Sequence, residues 1–113
     1  MKHNEVVIDG RLLKRNALRY TPAGTPAVEL LIGHRSLQSE AGRQREARCE
    51  IEAVALGDMA VKVSTLKLSQ PLQISGFLAR RSVSNRRLVL HIVSAEPMAG
   101  GDQEHQQESR RVP

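Results

Sequence analysis

Residues 80–87, Arg-Arg-Ser-Val-Ser-Asn-Arg-Arg, set two arginines on each side of a short polar stretch. A guanidinium is planar, stays charged at neutral pH and can bond two phosphate oxygens at once. Arg80, Arg81, Arg86 and Arg87 are therefore suited to holding a polyanion. The alternative is a solvated hairpin whose charges discourage edge-to-edge aggregation. Groups for covalent or redox chemistry are hard to find. No CxxC or HExxH spacing suggests a metal site. Neither a GxxxxGK[ST] phosphate loop nor a GxSxG elbow occurs. Glu50 and Glu52 fall on one face of a strand pattern, but with no histidine or metal ligand nearby they read as a solvated pair. The sequence points away from an enzyme and implies neither a cofactor nor a metal.

Charge supports a polyanionic partner. The 113 residues include 17 basic and 12 acidic side chains, a net charge of +5 with an isoelectric point near 10.1. Residues 1–96 hold more than the whole excess, with 15 basic and 9 acidic residues; residues 97–113 are net negative, Arg110 and Arg111 against Asp102, Glu104 and Glu108. A basic domain suits nucleic acid or an anionic membrane surface. No apolar run approaches the roughly 20 residues that cross a bilayer. The N-terminus lacks the apolar stretch of a signal peptide. Cys49 is the single cysteine and cannot form an internal disulfide. A cytoplasmic location is the simplest expectation.

The elements that must position these arginines are mostly strands. "EVVIDGRLL" is rich in β-branched residues, with Gly10 marking a bulge or bend. Thr21-Pro22-Ala23-Gly24 fits a type I turn. "AVELLIGHRS" reads as a second strand and "LQSEAGRQRE" as a polar hairpin loop. "ARCEIEAVAL" alternates, with Cys49, Ile51, Ala53 and Ala55 on the apolar face, so Cys49 is expected to be a small buried hydrophobe. Asp58 is placed to cap a short helix with Met59, Val63 and Leu66 on one stripe. "PLQISGFLAR" and "RLVLHIV" supply two further strands. Their expected core faces are Leu72, Ile74 and Leu78, then Leu88, Leu90 and Ile92. Residues 97–113, with Pro, Gly-Gly and Gln but few large apolar residues, are expected to be a flexible tail after a domain over 1–96. Five strands with helical residues between the third and fourth fit an all-β OB-fold, a Greek-key barrel that often binds oligonucleotides. An SH3-like barrel or a generic sandwich also fits the pattern.

Residues 20–51, "YTPAGTPAVELLIGHRSLQSEAGRQREARCEI", resemble the primosomal replication protein N family, the PriB proteins. The shared features are the TPAG-like turn, the strand ending in "HRS", the "QSEAG" hairpin and the Cys in the returning strand. "ISGFLARR" and "LVLHI" resemble the family's last two strands, and the likeness spans about residues 4–96. Bacterial single-stranded-DNA-binding proteins have a related turn. The resemblance implies an OB-fold homodimer that binds single-stranded DNA. It also implies a part in replication restart with the primosomal helicase PriA and other primosome proteins, away from membranes. Arg19 matches a basic position before the turn, Arg35 the arginine of "HRS", and Arg80, Arg81, Arg86 and Arg87 a basic loop that grips the phosphate backbone.

The chain departs from the family where relatives can carry aromatic residues, having Arg43 and Arg48 there instead. Guanidinium planes also stack on bases, so both join the expected site. Tyr20 and Phe77 are the chain's Tyr and Phe, and there is no Trp. Either ring could stack on a base, although Phe77 fits packing better. Arg35 and Arg48 could instead pair across strands with Glu50 or Glu29. His34 and His91 stand alone on strands and read as structural. Two other functions stay open at this point. One is a protein–protein adaptor whose basic face docks an acidic partner. The other is a general single-stranded DNA- or RNA-binding protein.

Overall fold

A computed structural model of the chain describes residues 1–98. Strands β1 (Val6–Arg15), β2 (Arg19–Tyr20), β3 (Pro26–Glu40) and β4 (Arg43–Leu56) come first. Helix α1 (Asp58–Ser64) and strands β5 (Pro71–Arg80) and β6 (Leu88–Pro97) follow. The five long strands close into a ring in the order β1–β3–β4–β6–β5. Strand β1 makes the closure possible by serving two neighbours. Val6–Arg11 pair with β5, and Arg11–Arg15 pair with β3. This is the five-stranded Greek-key barrel of the OB type. The tail expected over 97–113 lies, from residue 99 onward, outside the described residues; Pro97 is the last residue of β6.

The core is the barrel lumen, filled by Leu12, Val28, Leu30, Ile32, Leu72, Ile74 and Leu90, with Ala53 and Ala55 opposite them. Two register shifts shape it. The bulge expected at Gly10 falls between Leu12 and Lys14. Gly10 instead permits close approach, since a Cβ there would lie 2.6 Å from Ile32 Cγ2. A second shift at Ser75/Gly76 leaves Val93 unpaired and turns Ala95 into the core. At that point the strands nearly touch: a Cβ on Gly76 would sit 1.9 Å from the His91 carbonyl oxygen. Leu78 and Leu88, expected in the core, are exposed. They lie where β5 and β6 run past the lumen into their connecting loop.

The expected loop over 37–46 is strand instead. Strands β3 and β4 pair without interruption as far as Glu40 and Arg43, leaving only Ala41 and Gly42 to turn. Both residues have positive φ, 54° and 76°, as a two-residue type I′ turn requires. The hairpin therefore projects as an arm beyond the barrel. Cys49 shares a face with Ile51 and Ala53 but sits on this arm, past the rim, and is exposed rather than buried.

Helix α1 closes one end of the barrel with Ala60 and Val63 buried and Met59 and Leu66 packed behind them. Gly57, not Asp58, is the N-cap, and no side chain caps the helix; Asp58 is the acidic residue of the first turn. Its C-terminal end is held from β1. Arg15 donates to the carbonyls of Val63, at 3.1 Å, and Leu66. Arg11 donates to the Ser69 carbonyl at 2.6 Å. These two arginines are committed to the fold.

Candidate nucleic-acid interface

The β5–β6 loop is a tight, self-bonded turn. Arg81 N–H donates to the Arg87 carbonyl at 2.9 Å, continuing the ladder one rung beyond Arg80 and Leu88. Ser82 and Asn85 close the tip, and the Asn85 side chain accepts from Arg87 N–H at 3.0 Å. Side chains alternate along a strand, so the four arginines divide into two pairs. Arg81 and Arg87 both turn toward Glu52 of β4: Arg87 pairs with it, and Arg81 Nη1 lies 3.9 Å away. Arg80 and Arg86 have no carboxylate partner among the described residues.

The outward face of β3 and β4 carries Glu29, Leu31, Gly33 and Arg35 on one strand and Glu52, Glu50, Arg48 and Glu46 on the other. Near the barrel, Glu29 gathers Arg81 at 2.9 Å and Arg19 of β2 at 3.2 Å. Strand β2 and the β5–β6 loop, distant in sequence, are thereby joined over one carboxylate. Glu29 is held below the ordinary carboxylate range, chiefly by the Arg81 hydrogen bond, which outweighs the opposing effect of partial burial; Arg19 adds to the lowering. Glu52 Oε1 is buried and accepts no hydrogen bond among the described residues. Lys14, Asn16, Glu29, Glu52, Arg81 and Arg87 border a shallow groove of about 330 Å³ here.

Further out on the arm, Arg35 and Arg48 stand directly opposite each other. Like charges so placed repel. Glu46 resolves the conflict by pairing with both, at 3.2 Å for Arg48. The expected partners Glu50 and Glu29 are not used, because a carboxylate two residues along the same face reaches both guanidinium groups. The Arg35 hydrogen bond is the main cause holding Glu46 below its ordinary range.

The sequence-predicted residues thus fall into separate groups. Arg81 and Arg87 line the groove and Arg19 joins them at its edge through Glu29, Arg35 and Arg48 meet on the arm, and Arg80 and Arg86 flank the loop. Arg43 lies on the opposite face of the arm from Arg48, beside Arg45, which pairs with Glu40 at 2.9 Å. Tyr20 is 64% exposed beside Arg19. Phe77 belongs elsewhere: it lies flat on His91, ring centres 4.9 Å apart, on the outer surface of β5 and β6. His34 is structural in its bonding, with one ring nitrogen 2.7 Å from the Asp9 carbonyl and the other 2.7 Å from Ser36 Oγ. Sequence reasoning missed Lys14, Glu29 and Glu52 as groove residues. The alternation of β3 and β4 places the two glutamates outward, but their convergence needed the barrel to bring β2 and the β5–β6 loop over them.

The model of a family described as "another single-strand binding protein family" matches residues 4–94. A replication restart protein PriB from Bordetella pertussis is 40% identical over 97 residues, 86% of this chain and 91% of that one. This chain belongs to the PriB family. The solved PriB structure from Ralstonia solanacearum superposes with a TM-score of 0.78 at 34% identity, covering 84% of this chain and 97% of that one. A small single-stranded DNA-binding protein from Streptomyces coelicolor shares the fold at 14% identity, with a TM-score of 0.67 and coverage of 88% and 96%.

Proposed function

We propose that this chain is a non-enzymatic, single-stranded-DNA-binding accessory of replication restart, acting in the cytoplasm with the primosomal helicase PriA. The observation that carries the reading is the convergence of Arg19, from β2, with Arg81 and Arg87, from the β5–β6 loop, onto the outward face of β3 and β4. That face, with its two flanking loops, is where OB barrels take oligonucleotides. Arg80 and Arg86 supply cations with no carboxylate to displace among the described residues, and Arg35 and Arg48 extend the track along the arm. Backbone contact dominates over stacking, because the chain has one Tyr, one Phe and no Trp, and Phe77 lies on the outer surface of β5 and β6, which leaves Tyr20 alone beside these arginines among the described residues. Anisotropy titration with single- and double-stranded DNA of equal length tests the reading. Preferential binding of the single strand at low salt is expected; no binding at low salt defeats it.

The chain acts as a homodimer in this proposal. Val7, Phe77 and Val93 form an exposed apolar patch on the outer surface of β1, β5 and β6, away from the arginine groove. The adaptor reading keeps one observation in its favour: the basic face already holds carboxylates, those of Glu29, Glu46 and Glu52. An acidic peptide that competes with DNA for the same arginines would support that second use.

A further inference from the structure

We infer that Glu29 and Glu52 are negative determinants of affinity, internal anions that occupy the groove arginines and that a bound strand must displace. This rests on the proposal that the groove takes single-stranded DNA. Three cations, Arg19, Arg81 and Arg87, face two carboxylates across distances of 3.2, 2.9 and 3.9 Å and the direct Arg87–Glu52 pair. The cluster presents a net charge of +1 to an incoming phosphate instead of +3. Arg81 is the most committed, with one terminal nitrogen toward each glutamate. Both carboxylates are about two-thirds covered, so water screens them less than it screens the arginines at the rim. Arg19 and Arg87 keep more than half of their side-chain surface open and can swing from carboxylate to phosphate.

A repulsive element of this kind lowers affinity for every polyanion by the same physics that gives interfaces their selectivity. It favours a strand that can release easily over one held tightly. The arginines of the loop then differ in use: Arg80 and Arg86 capture, while Arg19, Arg81 and Arg87 engage only after exchange. The glutamates could instead pre-orient the arginines, and the two roles give opposite signs on removal.

The test is a titration of fluorescein-labelled single-stranded DNA of mixed sequence across a salt series. The proteins are the wild-type chain, Glu29→Gln, Glu52→Gln and the double variant. Glu5→Gln, a carboxylate outside the groove, controls for net charge. The expected result is tighter binding, by about fivefold for each groove carboxylate neutralised, the effect of one unit charge at about 4 Å through water. The salt dependence should steepen by about 0.7 for each arginine transferred to phosphate, and Glu5→Gln should change neither. Weaker binding by the Gln variants overturns the inference and makes the glutamates positioning residues. Unchanged binding, with the wild type still binding DNA, overturns it while leaving the proposed function intact. Failure of every protein to bind defeats both readings. Should the double variant not fold, as judged by circular dichroism, Glu29→Gln alone decides, since it frees Arg19 and one end of Arg81.

Discussion

Arg86 and Arg87 are neighbours in sequence with different surroundings, and substitution should separate them. Arg86→Ala should flatten the salt dependence of single-stranded DNA binding by about 0.7, the value of one phosphate contact, and leave stability unchanged. Arg87→Ala should flatten it less and lower stability by up to about 1 kcal/mol, the range of a partly exposed ion pair. Affinity and thermal unfolding measured on the two variants check this. Glu29 makes a pH prediction. Its folded pKa lies below its ordinary value of 4.5 because of Arg81 and then Arg19. Its stabilising effect is therefore complete above about 4.5 and is lost as pH falls through the lowered value. The stability gap between wild type and Glu29→Gln should be widest near neutrality and close in acid, as denaturant unfolding at pH 7 and pH 3 will show. The cations themselves were legible in the sequence because arginine has few other reasons to cluster. Which of them are already neutralised was not, because Arg81, Glu29 and Glu52 meet only after non-local pairing.

At the scale of elements, alternation located the strands and the lumen residues Ile51, Ala53, Leu72, Ile74, Leu90 and Ile92. Strand ends were harder to read. Alternation is a test of which face is apolar, and past the barrel rim neither face is; hence the arm looked like a loop and Cys49 looked buried. The turn was also disguised, since Ala41 holds a left-handed conformation usually given to Asn or Gly. Ala41→Asn should relieve it and raise stability by roughly 0.5–1 kcal/mol, measured by denaturant unfolding. DNA affinity should not change, because the turn lies beyond the arginine pairs.

For the whole molecule, the proposed homodimer makes a prediction on the outer surface of β1, β5 and β6. Wild type should sediment at equilibrium with a mass near twice 12.5 kDa. Phe77→Glu should shift that toward the single chain, with Val7→Glu as a second variant if the first disturbs the ring stack with His91. A persistent monomer in the wild type would remove the homodimer from the proposal. The order of elements narrowed the fold class to a small β-barrel or sandwich and the family resemblance pointed to the OB type, whereas this surface could not be read, since Val7, Phe77 and Val93 are far apart in sequence. The ring of strands also has a clasp. Every long-strand junction is antiparallel except that of β4 with β6, which is parallel and spans only Ala53–Leu90 and Val54–His91. Arg81 and Arg87 reach from the loop before β6 to Glu52 of β4 and so fasten this shortest seam from outside. Amide hydrogens at 53–54 and 90–91 should exchange faster as salt rises. They should exchange faster still with DNA bound, when the same guanidinium groups are drawn away. A strand in the groove would then loosen the hoop that holds it.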